Sequence, residues 1–157
     1  MKKIKIDLVN DSEVAEAAAI IDANELFKRY EFCGKEAEIL FGREMKKEGN
    51  YFYKAMLEDQ MAGVAWVANN GAFLRSSYLR LIAIHPRHQG CGVGEALVKA
   101  YEKDRPHPHG VFLLVTKDNL PARKFYEKMG YRHIGDLPNY IKNGIDEAIY
   151  FKDQDQI

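Results

Sequence analysis

A glycine-rich segment at positions 89–94, Gln-Gly-Cys-Gly-Val-Gly, offers the clearest candidate chemistry in this sequence. It follows an apolar stretch at 78–84 that is typical of a strand, and it leads into an amphipathic stretch at 94–103 that is typical of a helix. Glycine permits positive φ angles and close approach of the main chain to a ligand, while free amides at a helix N-terminus attract phosphate oxygens. The segment is therefore a candidate phosphate cradle, with a ligand-free turn as the alternative.

Two better-known phosphate loops do not fit this segment. The sequence contains no Gly-Lys-Ser/Thr for a Walker loop, and a dinucleotide fingerprint needs a different glycine spacing inside an early βαβ unit. Cys91 within the segment is interpreted as a packing residue rather than a nucleophile.

A second candidate pair is Asn119 and Tyr126, seven residues apart in a stretch at 119–129 that predicts a helix. Seven residues make about two helical turns, so the two side chains should share nearly the same face. Without further information, Asn119 is interpreted as a helix cap and Tyr126 as a core aromatic residue beside Phe125.

Composition limits the classes of function. Lys plus Arg and Asp plus Glu number 23 each, so no nucleic acid and no anionic membrane surface is expected as the main partner. The 157 residues, 46% of them hydrophobic, suit one globular domain over 1–157. No apolar run approaches a membrane span, and two isolated cysteines suggest neither a metal centre nor a disulfide framework. We therefore expect a cytoplasmic protein without a metal.

The rest of the chain alternates between strand and helix patterns. Strands are predicted at 4–8, 51–57, 63–68, 78–84, 111–116, 131–134 and 148–151, and helices at 14–21, 35–47, 94–103 and 119–129. The polar turn 58–60 should join a hairpin that Asn69-Asn70-Gly71 closes. This order predicts an α/β or α+β fold with a mixed sheet.

Two motifs in this order resemble those of the GNAT superfamily of N-acetyltransferases. The segment 89–94 is similar to its Q/R-x-x-G-x-G/A signature, and Asn119, Ala122, Tyr126, Gly130 and Tyr131 match its later N-x-x-A-x-x-x-Y-x-x-x-G-F/Y motif. The resemblance covers roughly residues 78–134. It implies an α+β, α/β/α layered fold, with a mixed, mostly antiparallel central sheet flanked by about four helices.

The resemblance also implies a cofactor and roles for individual residues. Acetyl-CoA would be the co-substrate, and its acetyl group would pass to a primary amine by direct attack in a ternary complex. Main-chain groups of Ile82, Ala83 and Ile84 would pair with the pantetheine arm, with the Ile84 amide as oxyanion donor. Tyr126 would be the general acid and Asn119 a cofactor contact. The pyrophosphate would lie on the segment composed of Gln89, Gly90, Cys91, Gly92, Val93, Gly94 and Glu95.

One piece of the family's machinery is missing. Many relatives carry a glutamate five residues before the position of Asn119, where this chain has Leu114, and Arg80 is the sole charged residue of 78–84. Without a protein base, the rate with an alkyl amine should rise with pH. Residues that could take part in acceptor binding or proton removal, or simply meet solvent, are His85, Glu31, Asp146 and Glu147.

The acceptor and the assembly are not legible in the sequence. The resemblance implies an acceptor pocket built from the segments 24–34 and 138–147, which contain aromatic residues and mixed charges without a decisive pattern. A small-molecule amine and a protein amine both fit, and the sequence leaves open whether the chain acts as a monomer or a homodimer. The competing function is a non-catalytic acyl-CoA-binding or sensing module. Retention of both Asn119 and Tyr126 favours the enzyme.

Overall fold

The structure is a computed structural model that describes residues 2–157, so Met1 of the predicted domain lies outside the described residues. Within that range the strands are β1 (Ile4–Leu8), β2 (Asn50–Leu57), β3 (Gln60–Ala72), β4 (Ser76–Ile84), β5 (Val111–Thr116), β6 (Arg132–Lys142) and β7 (Ile145–Lys152). The α-helices are α1 (Val14–Asp22), α2 (Glu25–Arg29), α3 (Gly34–Glu44), α4 (Val93–Asp104) and α5 (Leu120–Lys128).

All seven strands of the described chain form one sheet in the order β1-β2-β3-β4-β5-β7-β6. Every neighbouring pair is antiparallel except β4 and β5, which run parallel and are connected through α4. The β4–β5 ladder joins only residues 77–79 to 111–113, after which the strands diverge. The predicted α+β fold with a mixed, mostly antiparallel sheet is confirmed, and the divergence leaves one edge of β4 unpaired beyond Leu79.

The two faces of the sheet carry different helices. On the face that we call the α4/α5 face, Leu97 and Tyr101 of α4 and Tyr126 of α5 pack with apolar residues of the central strands. On the opposite face, which we call the α1/α3 face, Ile21 and Phe41 pack around Trp66 and its neighbours. Apolar residues alternate between these two clusters along β4, because successive side chains of a strand point to opposite faces.

The structure corrects the predicted extent of several elements. Strand β3 does not end at Asn69-Asn70-Gly71 but continues to Ala72 through a register irregularity. A Cβ on Gly71 would meet the Cβ of Ala68 at 2.8 Å, so glycine here marks close approach within a distorted strand. The last two strands are longer than the predicted 131–134 and 148–151, and β6 lies at the sheet edge, where Pro138 is tolerated. The short helix α2, which buries no residue, was not predicted.

Candidate active site

A cavity of about 440 Å³ lies on the α4/α5 face, between the end of β4, the N-terminus of α4 and one side of α5. It collects nine of the residues predicted from sequence: Ile82, Ile84, Gln89, Gly90, Gly92, Val93, Gly94, Glu95 and Tyr126. Four further residues line it: His88, Ala122, Phe125 and Lys128. Helical spacing was a signal that could have identified two of them, because Ala122 lies four residues before Tyr126 and Phe125 lies three residues after Ala122. The predicted residues Ala83, Cys91 and Asn119 are not among the lining residues.

The segment between β4 and α4 is held open by its backbone conformation. A 3₁₀ turn, Pro86–His88, leads into Gly90 with φ of 75° and Gly92 with φ of 82°, and Gly92 is the N-cap of α4. A Cβ on Gly90 would meet nothing within 4 Å, and one on Gly92 would meet only Ile4 Cδ1 at 3.9 Å. The left-handed φ angles favour glycine, and the space above both residues is free of protein.

Several main-chain amides of this segment have no partner among residues 2–157. They belong to Gly90, Gly92, Val93, Gly94 and Glu95, whereas the Cys91 amide donates to the His88 carbonyl at 3.4 Å. Because they converge at the positive dipole end of a twelve-residue helix, these amides form a site for an anion. Lys128 adds a positive charge at the same cavity. The residues present therefore fit the pyrophosphate of acetyl-CoA.

The open edge of β4 presents main-chain groups to the same cavity. The His85 amide donates to the Ala62 carbonyl of β3 at 2.8 Å. Successive residues of a strand direct their peptide groups to alternate edges, so Ile84 and Ile82 direct theirs to the unpaired edge. By the same alternation, Ala83 faces β3, opposite Val64. The two isoleucines are thus the residues of this stretch that are available for a new partner.

Tyr126 enters the cavity from α5. Its ring lies edge-on to Phe125 and Tyr131, with centroids 5.1 and 5.7 Å away, and its exposed fraction is 5%. The hydroxyl group has no hydrogen-bond partner in the described chain, yet it is not sealed from the cavity. Burial raises the pKa of Tyr126 well above that of free tyrosine. The group therefore keeps its proton at neutral pH and can donate it to a ligand.

Asn119 is the N-cap of α5, and its Oδ1 accepts from the Ala122 amide at 3.3 Å. This is the cap that the residue type predicts. Arg123 of α5 donates to the Tyr150 hydroxyl at 2.9 Å and to the Lys117 carbonyl at 3.0 Å. It thereby fastens α5 to β7 and to the end of β5.

The acceptor-side candidates occupy very different environments. Glu31 is exposed and pairs with Lys142, and the Nδ1 atom of His85 accepts from the Arg87 amide in the 3₁₀ turn. Asp146 accepts from the Asn139 amide at 3.0 Å. Glu147, by contrast, is buried with an exposed fraction of 2% and accepts a hydrogen bond from the Tyr30 hydroxyl.

A second cavity, of about 470 Å³, lies at the C-terminal end of β5. It is lined by Arg29, Thr116, Lys117, Asp118, Arg123, Gly144, Ile145 and Asp146. Its charged side chains are largely paired, as Arg29 binds Asp118 in two contacts of 2.9 and 3.1 Å. Arg29 and residues 144–146 fall in the segments 24–34 and 138–147 that the resemblance implied for the acceptor pocket. Residues 116–118 carried no signal, because the walls come from four segments that are distant in the chain.

Two absences complete the description of residues 2–157. No group of three or more His, Cys, Asp or Glu side chains is arranged to hold a metal ion. No helix in this range is both long enough and apolar enough to cross a bilayer.

The chain is similar to known acetyltransferases in sequence and in structure. Residues 12–150 match the family model described as an acetyltransferase (GNAT) domain. An uncharacterized N-acetyltransferase of Methanocaldococcus jannaschii is 28% identical over 106 residues, which are 66% of each chain. N-acetylaspartate synthetase of Xenopus tropicalis is 25% identical over 107 residues, which are 67% of this chain and 39% of that protein.

Among solved structures, the ribosomal-protein-S18-alanine N-acetyltransferase of Escherichia coli superimposes with a TM-score of 0.80 at 20% identity. The likeness covers 97% of this chain and 94% of that one, and it shows a shared fold. The alignments with the two sequence relatives span 66% and 39% of those proteins.

Proposed function

Since this chain belongs to the GNAT acetyltransferase family, we propose that it transfers the acetyl group of acetyl-CoA to a primary amine by direct attack in a ternary complex. The observation that carries this proposal is one cavity in which unpartnered amides, the open edge of β4 and the Tyr126 hydroxyl meet. We also take residues 1–157 as one catalytic domain, because the described strands share one sheet.

The pyrophosphate of the co-substrate would lie on the amides of Gly90 and of residues 92–95, with Lys128 beside it. The pantetheine arm would follow the unpaired edge of β4 and pair with the main chain of Ile82 and Ile84. Ala83 lies between them and directs its peptide groups to β3. The Cys91 amide donates to the His88 carbonyl, so it is not available to the pyrophosphate. Phe125, against which a Cβ on Gly94 would pack at 3.4 Å, fixes the spacing of α4 and α5 around this path.

Acetyl-CoA supplies the acetyl group as a thioester, whose carbonyl carbon is open to attack by an amine. The Ile84 amide donates a hydrogen bond where negative charge develops on the carbonyl oxygen. The Tyr126 hydroxyl holds the proton that the departing sulfur needs. Burial raises the pKa of Tyr126, so the phenol is protonated at neutral pH and its proton is present when the sulfur departs.

The acceptor is a primary amine, carried by a small molecule or by a protein. One relative is named for the synthesis of N-acetylaspartate, and one structural neighbour is named for the alanine of ribosomal protein S18. These names describe two different acceptor classes, so the choice for this chain must come from its own acceptor side. The balanced charge supports an amine rather than a nucleic acid as partner.

Release of CoA, measured with acetyl-CoA and a panel of amines, tests the proposal. The panel should contain alkyl monoamines, polyamines, free amino acids and short peptides with different first residues. We expect at least one class to show saturable turnover. A protein that binds acetyl-CoA tightly but turns over with no amine would be the non-catalytic binding module, and absence of binding at millimolar acetyl-CoA would exclude both functions.

A further inference from the structure

Glu147, near the start of β7, is a buried carboxylate without a cationic partner. Elsewhere in residues 2–157, buried carboxylates are compensated: Glu44 binds Arg43 and Lys47, and Glu102 binds Lys152. No Lys, Arg or His nitrogen of the described chain lies within 4.0 Å of the Glu147 carboxylate. Burying an unpaired charge is unfavourable, so Glu147 lowers the free energy of unfolding. A cationic ligand bound to it would offset that loss.

One oxygen of this carboxylate is fixed and the other is free. The Tyr30 hydroxyl donates to Oε1, and the Thr116 hydroxyl lies 2.6 Å from the Tyr30 oxygen. Since the single Tyr30 proton points to Glu147, Thr116 donates to Tyr30. No donor of residues 2–157 binds Oε2, and Oε2 is not closed off from solvent. The hydroxyl chain therefore orients the carboxylate and leaves one oxygen for a ligand.

The position of Glu147 in the sheet places it beside the divergence of β4 and β5. Glu147 pairs with Thr116, and Leu114 pairs with Ile149, so Glu147 and Leu114 are diagonal neighbours on one face. Diagonal positions lie about 7–8 Å apart, within reach of long side chains. Both residues lie on the α1/α3 face of the sheet, opposite the face that carries Tyr126. Beyond Leu79 and Leu113, β4 and β5 are no longer paired, so a gap between these strands connects the two faces. An amine bound at Glu147 thus lies on the other side of the opening from the proposed acetyl donor.

The charged and titratable groups around Glu147 come from every element packed against it. Arg29 approaches from α2, Tyr30 from the residue after it, Asp118 from the end of β5, Asp146 from β7 and Tyr78 from β4, while Tyr140 of β6 lies near Tyr78. Arg29 is already bound by Asp118. Burial raises the pKa of Glu147, while the Tyr30 hydrogen bond opposes that rise, and the pKa of Tyr30 itself is raised to about 12. Tyr30 therefore remains a donor throughout the working pH range.

We propose that Glu147 binds the ammonium group of the acceptor through Oε2 and takes its proton. The proposal rests on the proposed acetyl transfer and gives it an acceptor class, namely amines that are protonated in solution. The ammonium loses one proton to Glu147, which releases it to solvent. The nitrogen then forms a bond to the acetyl carbon while the carbon–sulfur bond breaks. Tyr126 protonates the sulfur. The nitrogen loses its second proton to the Glu147 carboxylate, which releases it to solvent, and Tyr126 regains a proton from solvent.

The kinetic test compares Glu147→Gln with the matched carboxylate variant Glu31→Gln, whose side chain is 81% exposed. With the best alkyl amine of the panel, wild-type kcat/KM should be nearly flat from pH 7 to 9, because the protonated amine and the ionised carboxylate are the reacting forms. In Glu147→Gln, kcat/KM at pH 7 should fall roughly 10²-fold. It should then rise about tenfold per pH unit, following the neutral fraction of an amine of pKa about 10.4. Glu31→Gln should match the wild type.

Tyr30 acts through Glu147 and is a positioning residue. Tyr30→Phe removes the hydrogen bond that lowers the pKa of Glu147, so the acid limb of the kcat/KM profile should move to higher pH while the plateau height changes little. A variant with uniformly reduced activity and an unmoved acid limb would mean that Tyr30 is only structural.

A binding test is independent of turnover. n-Butylammonium chloride should raise the Tm of the wild type and of Glu31→Gln but not that of Glu147→Gln, at ionic strength matched with sodium chloride. Equal shifts in all three proteins, or no shift in the wild type, would overturn the proposal, as would an unchanged pH profile in Glu147→Gln. Failure of acetyl-CoA binding would instead contradict the proposed function, because this ammonium test needs no acetyl-CoA.

Discussion

Lys152, at the end of β7, donates from Nζ to both carboxylate oxygens of Glu102 in α4, at 3.0 Å each. Both side chains are more than 90% buried, and Glu102 also accepts from the Tyr131 hydroxyl at 3.0 Å. This pair ties the last strand to a helix that carries the proposed phosphate site. Neither Lys152 nor Glu102 lines the cavity, so the pair is suited to a test of stability.

Replacing Lys152 by Met should strongly destabilise the protein, because Glu102 would remain buried without a cation. The expected loss is about 3–5 kcal/mol in the free energy of unfolding, measured by urea denaturation at pH 7. The control Lys47→Met breaks an ion pair whose lysine is mostly exposed, and it should cost less than about 1 kcal/mol. Adding Glu102→Leu to Lys152→Met should restore much of the loss. An equal loss of stability in Lys152→Met and Lys47→Met would contradict this interpretation.

Gly92→Val should weaken the stabilisation by acetyl-CoA, which for the wild type is about 2.7 kcal/mol at a hundred times the dissociation constant. The added side chain meets almost no protein atoms, so it fills space that the pyrophosphate needs. The φ of 82° also strains valine, and Gly49→Val controls for this strain, because Gly49 has a φ of 84° and does not line the cavity. Ligand-induced Tm shifts should fall only in the Gly92 variant, and an equal loss in both would point to strain.

Tyr126→Phe should lower kcat roughly 10²-fold while leaving acetyl-CoA binding nearly unchanged, because the ring stays and the proton donor is lost. Stopped-flow or steady-state CoA release gives kcat, and calorimetry gives the dissociation constant. Tyr53→Phe is the matched control, since it removes a hydroxyl that donates to Asp104 outside the cavity. Full activity of Tyr126→Phe, with chemistry limiting the rate, would make Tyr126 a packing residue.

Asn119 can be assigned by comparing two substitutions. Asn119→Ala removes the cap on the Ala122 amide and should cost about 1 kcal/mol in stability, whereas Asn119→Asp keeps an acceptor oxygen and should be nearly neutral. If the amide nitrogen of Asn119 contacts the co-substrate, Asn119→Asp should nonetheless raise the KM for acetyl-CoA. An unchanged KM in that variant would mean that Asn119 acts only as the N-cap of α5.

Glu147→Gln should stabilise the ligand-free protein, because it removes a buried charge and keeps an oxygen for Tyr30. Folding raises the pKa of this carboxyl, so the wild type is favoured below the unfolded pKa and loses stability as pH rises through the folded pKa. The gain should therefore be small below about pH 4.3 and of the order of 1 kcal/mol at pH 8, or roughly 2–4 °C in Tm. A variant less stable than the wild type at pH 8 would contradict this balance.

The sequence predicted the elements whose signals are local. The loop 89–94, the start of α5 at Asn119 and the turn at Glu58 and Asp59 each depend on a few consecutive residues, and the structure has them in place. Strand β6 was predicted too short because most of its side chains are exposed and it pairs, within residues 2–157, with β7 alone, so its pattern carries little periodicity.

The residues of the acceptor side were harder to predict, because their contacts join distant parts of the chain. Tyr30 and Glu147 are 117 positions apart in sequence, and no local pattern indicates that they meet. Glu147 was named with Glu31 and Asp146 as a residue that could take part in acceptor binding, and its burial and its contact with Tyr30 separate it from them. Burial of a charged residue is a tertiary property, since composition and periodicity report average environments.

Because one edge of β4 is paired and the other is not, amides along this strand should exchange their hydrogens at two different rates. Amides of Ala83 and His85 face β3 and should exchange slowly with deuterium, whereas those of Ile82 and Ile84 face the unpaired edge and should exchange within the dead time of a manual experiment. Protection would thus alternate from one residue to the next along four positions. Pairing of a ligand with that edge should slow only the fast pair, so the difference between alternate amides would report, residue by residue, how long the ligand stays.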